Sequence, residues 1–271
     1  MDIQSIIANA AQMFGGSKSG GGSGGKKPPD KDIISDEMKV LYKKNVPYDN
    51  KSAKDILNSV GKKSGLNPGL LFSSAFQEGM NKAIVRPGEH SEAYDMAREE
   101  GNDLKDYPVD AFYNYGVDKF GDNYDKIKKY LPEGFEGRYK MYNAINEQNE
   151  PVKTAAFKTN EDALMAKAAM MHGAMDEVND YATQKNINLD EKARNYFTLA
   201  RYNSKPENYR IMMDEYMNAK DKNKFIDEGL TSRKGVHKNI APRLSRMKLA
   251  NDLLSEQDLP IPTASQVVAT K

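Results

Sequence analysis

Apolar positions along this chain recur at helical spacing. The most sustained stripe is Leu164, Ala168, Met171, Met175, Val178 and Ala182, at intervals of four, three, four, three and four residues. Thr159 and Asp162 form a capping signal at its start. The stripe is narrow and rich in small residues, so neighbours can approach closely, as a central core helix requires. Ser52 with Asp55 predicts a second helix start, ahead of Ile56, Leu57 and Val60, and Gly65 closes it. Asn67 and Pro68 then open a helix through Leu71 and Ala75 to Glu78, with Gly79 as its stop. Asp190 caps a helix carrying Ala193, Phe197 and Ala200. Pro206 opens one carrying Tyr209, Met213 and Tyr216, and Ile240, Leu244, Met247 and Leu254 mark a last one. No segment alternates convincingly with period two and no internal repeat is visible, so the pattern predicts a mainly α chain.

The pattern changes at both ends. Ile3, Ile7, Ala10 and Phe14 give residues 1–14 a short apolar face. A helix of about a dozen residues is marginal alone in water, so this one is expected to form against a partner. Residues 15–30 are Gly, Ser, Lys, Pro and Asp, a tether without packing residues. An anchor on a tether and a disordered leader are equally good readings of this end. The helical domain is expected over residues 31–258, followed by a loose tail at 259–271 with Pro260 and Pro262.

Composition narrows the function. Lys plus Arg is 40 against 39 for Asp plus Glu, so no net field draws the chain to nucleic acid or anionic membrane. Cysteine is absent, which removes disulfides and thiolate metal sites. His90, His172 and His237 lie far apart and in no ligand spacing, so neither a metal nor a cofactor is expected. No apolar run approaches the ~20 residues of a membrane span. The first residues lack the basic and apolar regions of a secretory signal.

One residue carries candidate chemistry. At 3.6 residues per turn, Glu78 shares a face with Leu71 and Ala75, and it occupies the last turn of its helix. Burial and the helix dipole both disfavour its negative charge there, which suits a carboxylic acid that must hold a proton. The expected role is general acid; a solvated helix-end glutamate is the ordinary alternative.

Further residues turn that expectation into a resemblance. Ser64-Gly-Leu-Asn-Pro-Gly-Leu-Leu-Phe-Ser-Ser-Ala-Phe-Gln-Glu78 resembles the opening motif of the lytic transglycosylase and goose-type lysozyme superfamily, where a helix-turn-helix ends on the single catalytic glutamate. Phe157-Lys-Thr-Asn-Glu-Asp-Ala163 and the Ala-rich helix after it are similar to that family's later core helix, and Leu199-Ala-Arg-Tyr-Asn203 is similar to its aromatic-Tyr-Asn motif. The three stand in the family's order over roughly residues 52–220, and phage virion-associated members look closest.

The resemblance implies a lysozyme-like helical domain that cleaves the β-1,4 link between N-acetylmuramic acid and N-acetylglucosamine in peptidoglycan glycan strands. It makes Glu78 the acid, with Tyr202 and Asn203 lining the cleft. The enzyme would be carried in a phage particle and act in the host periplasm or wall, with residues 1–14 as a possible virion contact. Family members have Ser after the glutamate, where this chain has Gly79, and their Gly-Leu-Met-Gln motif is absent. Its best substitute is Gly116-Val117-Asp118-Lys119 beside Tyr115, late after a polar, insertion-like stretch from Pro87 to Asp106. Gly116, Val117, Tyr115 and Asp118 are therefore further candidates for substrate binding. A single glutamate suffices where the substrate's own N-acetyl oxygen attacks the anomeric carbon and the sugar's 6-hydroxyl then closes a 1,6-anhydro ring. Asp118 as a second carboxylate would favour hydrolysis instead. A non-catalytic glycan-binding or structural virion protein is the reading from another class.

Overall fold

The computed structural model describes residues 40–146 and 149–231, and beyond them Ala241, Arg243, Leu244 and Met247. The anchor, tether and tail at 1–14, 15–30 and 259–271 lie outside the described residues, as do Ile240 and Leu254.

The chain is mainly helical. A two-residue ladder, β1 (Asn45–Val46) with β2 (Lys51–Ser52), leads into α1 (Ala53–Ser64). The Ser52 hydroxyl accepts from the Asp55 N–H at 3.1 Å, and Gly65 at φ 74° ends the helix in the left-handed region. In α2 (Pro68–Glu78) the Asn67 side chain accepts from the N–H groups of Gly69 and Leu70 at 2.8 and 3.4 Å, so both ends fall where the caps place them. Short helices follow: α3 (Met80–Val85), α4 (Glu92–Glu99), α5 (Ala111–Tyr115) after the two-residue strand β3 (Val109–Asp110), and α6 (Phe120–Ile127).

An antiparallel hairpin comes next, β4 (Tyr139–Ile145) and β5 (Pro151–Phe157), in register Tyr139 with Phe157 through Ile145 with Pro151. With β3 it forms a sheet ordered β3-β5-β4. This corrects the expectation of no strands. Only Tyr142 and Ala144 of β4 are buried, and β5 ends in four consecutive buried residues, Thr154 to Phe157, which gives no period of two. Two of those four are alanines, a poor strand signal. Ala155 and Phe157 belong to the main core, whereas Val152 and Ala156 join Tyr94, Ala97, Leu104, Tyr142 and Ala144 in a second cluster. The polar stretch Pro87–Asp106 is thus no loose insertion: α4 docks its Tyr94 and Ala97 on the sheet.

Asp110 joins these parts. Fully buried, it accepts from the Ser91 N–H and hydroxyl at 2.8 and 2.6 Å, from the N–H groups of Phe112 and Tyr113 at 3.1 and 3.4 Å, and from the Tyr142 hydroxyl at 2.5 Å.

The central element is α7 (Asn160–Lys185), 26 residues and about 39 Å long at 1.5 Å per residue. Residues 162 to 169 are buried all round, because α1, α2, α6 and α8 (Glu191–Asn203) pack on different sides of it. Its start is doubly capped, by Thr159 to the Asp162 N–H at 3.2 Å and by Asp49 to the N–H groups of Asn160 and Glu161 at 2.8 and 2.9 Å. Helices α9 (Pro206–Asn218) and α10 (Lys222–Thr231) complete the described fold, and Ala241, Arg243, Leu244 and Met247 are helical.

Candidate functional site

Glu78 is the last residue of α2, and its side chain is 16% exposed, covered but reachable. Gly79 follows at φ 129°, and a β-carbon there would stand 2.8 Å from the Tyr113 carbonyl oxygen. The corner from α2 into α3 thus lies against the α5 backbone, which accounts for glycine where the resembling family has serine.

Glu78 shares its helix face with Leu71 and Ala75, yet its carboxylate faces two cations that the local pattern does not announce. The Lys167 ammonium, from the centre of α7, donates to Oε2. The Arg243 guanidinium donates to Oε1 at 2.6 Å and also to the Asn203 side-chain oxygen. Lys167 is completely buried and further donates to the Tyr115 carbonyl at 2.9 Å and the Tyr202 hydroxyl at 3.2 Å, with its charge 4.6 Å from the Tyr202 ring centre. Burial pushes the Lys167 ammonium below its ordinary value, against the opposing pull of Glu78. Burial, then the charge on Glu78, holds the Tyr202 hydroxyl well above the ordinary phenol range.

The other sequence candidates divide. Asn203 ends α8, its amide N–H₂ donating to Leu199 at 2.8 Å and its oxygen meeting Arg243. Gly116, at φ 60°, ends α5, and a β-carbon on it would come within 2.5 Å of Glu78 Oε2, so bare backbone walls that side of the carboxylate. Asp118 is partly buried; burial first, then the charge on Glu78, raises its carboxyl above the usual value. Tyr115 and Val117 are placed differently from expectation. The Tyr115 ring is in the core, its hydroxyl on Asn160 at 2.7 Å, and it offers the site only its carbonyl. Val117 is fully buried, and its carbonyl accepts from Thr154 at 2.7 Å. Both side chains pack in the main core.

Lys167 and Arg243 were not read from the sequence. Lys167 did leave a signal: it lies three residues after Leu164 and four before Met171, a lone charge on an apolar face between Ala166 and Ala168. Arg243 lies in a stretch rich in basic residues and left none.

A cavity of about 420 Å³ opens elsewhere, near the start of α7, lined in part by Lys51, Lys63, Arg138, Glu161 and Asp162. Its charges are already matched, Lys51 and Lys63 each on Glu161 at 2.6 Å and Arg138 on Asp162 at 2.9 Å. Among the described residues no group of three His, Asp or Glu converges as metal ligands, and no helix is long and apolar enough to cross a membrane. Comparisons of the chain with family models, characterised proteins and solved structures find no match.

Proposed function

We propose that this protein is a peptidoglycan-cleaving enzyme with a lysozyme-like fold, in which Glu78 is the general acid and base at the link between N-acetylmuramic acid and N-acetylglucosamine. One observation carries the reading. Glu78, Tyr202 and Asn203, from stretches more than 120 residues apart, meet around a single carboxylate through Lys167 and Arg243. Each belongs to one of the stretches on which the resemblance to lytic transglycosylases rests.

In this reading Glu78 protonates the glycosidic oxygen, and the substrate's N-acetyl oxygen holds the anomeric carbon. Glu78 then takes the proton of the attacking 6-hydroxyl. Arg243, a quarter exposed, leaves the carboxylate and Asn203 as the glycan binds. A hydrolytic outcome would instead use the partly buried Asp118 as the second carboxylate, holding the attacking water. On the resemblance, the enzyme would be carried by a phage particle.

Mass spectrometry of fragments from purified peptidoglycan separates the outcomes. Anhydro ends support the transglycosylase and reducing ends the hydrolase; intact glycan sinks both and leaves a glycan-binding or structural protein. Glu78→Gln, which cannot donate the proton, should lower turnover by about 10²-fold or more. Wild-type turnover in that variant would remove Glu78 from the chemistry.

A further inference from the structure

A fully buried lysine is uncommon unless its charge is answered, because an unpaired ammonium out of water is strongly disfavoured. Lys167 meets three acceptors, Glu78 Oε2, the Tyr115 carbonyl and the Tyr202 hydroxyl, which matches the three N–H bonds of an ammonium. Two of these do not involve Glu78. The Tyr115 carbonyl is at the C-terminal end of α5, where helix carbonyls lack partners within the helix and the dipole is negative. Tyr202 adds its hydroxyl and the face of its ring. The ammonium is therefore anchored whatever the state of the carboxylate.

The two oxygens of Glu78 are consequently unlike. Oε2 is closed in between the Lys167 ammonium and the backbone of Gly116, where even a methyl group would collide with it. Oε1 points the other way, to Arg243 and through it to Asn203. Arg243 is partly exposed, so Oε1 is the oxygen that water or a glycan reaches once the guanidinium moves aside.

We propose that Lys167 is a positioning residue that clamps Oε2 of Glu78 and makes Oε1 the oxygen that exchanges the proton with the glycan. The proposal rests on the glycosidase reading and deepens it. Oε1, protonated from solvent after Arg243 withdraws, gives its proton to the glycosidic oxygen as the bond to the anomeric carbon breaks, and the bonding pair leaves with that oxygen. When the attacking hydroxyl forms its new bond to the anomeric carbon, its proton returns to Oε1. Through both steps Oε2 keeps Lys167, so the carboxyl group neither rotates nor withdraws between its acid and base roles.

The test is Lys167→Met, similar in length and without charge, assayed on soluble peptidoglycan fragments across pH. A loosened carboxyl should lower kcat on the order of 10²-fold while KM stays within about twofold. Removing a cation beside an acid also favours its protonated form, so the basic limb of the pH–kcat profile should move up by about one unit or more. A purely structural lysine would lower the melting temperature and leave the limb in place, and that result overturns the proposal. Should the variant not fold, ¹⁵N-lysine NMR of the full chain decides. Glu78→Gln should shift the Lys167 ammonium resonance yet leave it slow to exchange, and an unmoved resonance means there is no clamp. Intact glycan with the wild-type protein overturns the glycosidase reading and the role of Oε1 with it. Cleavage with an unmoved pH limb overturns only the role of Lys167.

Discussion

Gly116→Ala is expected to damage stability, by two separable amounts, and with it the activity proposed for Glu78. The first is backbone strain: the residue stands at φ 60°, where a β-carbon costs roughly 1–2 kcal/mol, offset by about 0.4–1 kcal/mol from the stiffer unfolded chain. The second is collision. The new β-carbon would be 2.5 Å from Oε2 and 2.9 Å from two carbons of Glu78, against an ordinary carbon contact of about 3.5 Å, so the carboxylate must retreat by roughly 1 Å. That pulls Oε2 off a buried ammonium. Deleting one partner of such a pair costs about 3–5 kcal/mol, and stretching it, with Tyr115 and Tyr202 still in place, about 2 kcal/mol. Gly134 supplies the control, at φ 73° with nothing within 4 Å of its β-carbon position. Gly134→Ala should lose about 1 kcal/mol or less and Gly116→Ala about 3 kcal/mol in urea unfolding followed by circular dichroism. At about 2–4 °C per kcal/mol for a chain this size, their melting points should differ by at least about 4 °C. Only Gly116→Ala should also lose turnover, on the order of 10²-fold. If the two variants lose equal stability and both retain activity, the carboxylate does not lie against Gly116 and the geometry of the site is wrong.

Other sites give sharper single readings. Burial opposes the charge of Glu161, yet hydrogen bonds from Lys51, Lys63 and Ser59 outweigh it and hold the carboxyl down at about 2, against 4.5 for the ordinary group. Its contribution should be complete above pH 4.5 and fade as pH falls towards 2. Glu161→Gln should therefore cost about 1 kcal/mol at neutral pH and flatten that stretch of the stability profile; an unchanged acid limb counts against the pairing. Asn67→Ala, which removes the α2 cap, should cost about 1 kcal/mol in thermal unfolding, and no loss would mean that the cap is dispensable. Tyr202→Phe leaves a buried ammonium one acceptor short and should cost about 1–3 kcal/mol together with activity. Lost activity at an unchanged melting temperature would place the hydroxyl on the substrate instead.

Local signals are legible in this sequence and long-range ones are not. Ser52, Asn67, Thr159 and Asp190 each declare a helix start because a cap acts within three residues of itself, and all four helices begin there. The hairpin leaves no sequence signal because β5 is buried along its second half between two clusters, which erases alternation, and neither cluster is visible until α4 and α6 are in place. Motif likeness points to Glu78, Tyr202 and Asn203, and it carries residue types but not their surroundings. Both cations around Glu78 come from far along the chain, at separations of 89 and 165 residues, beyond any pattern of local spacing. Tyr115 contributes its carbonyl to the site and not its side chain, and composition carries no record of where backbone oxygens point.

The two cations also differ in how their surroundings can open. Lys167 rides on the most enclosed turns of α7, whose amides should exchange hydrogen only when the whole domain unfolds. Arg243 touches the carboxylate with a partly exposed side chain, and a side chain of that kind changes rotamer within nanoseconds or so. The inner wall of the site thus persists on the lifetime of the fold, while its outer cover can be exchanged within a single encounter. A ligand that brings its own cation to Oε1 would need to displace only the arginine and would find Lys167, Tyr202 and the backbone of Gly116 already arranged.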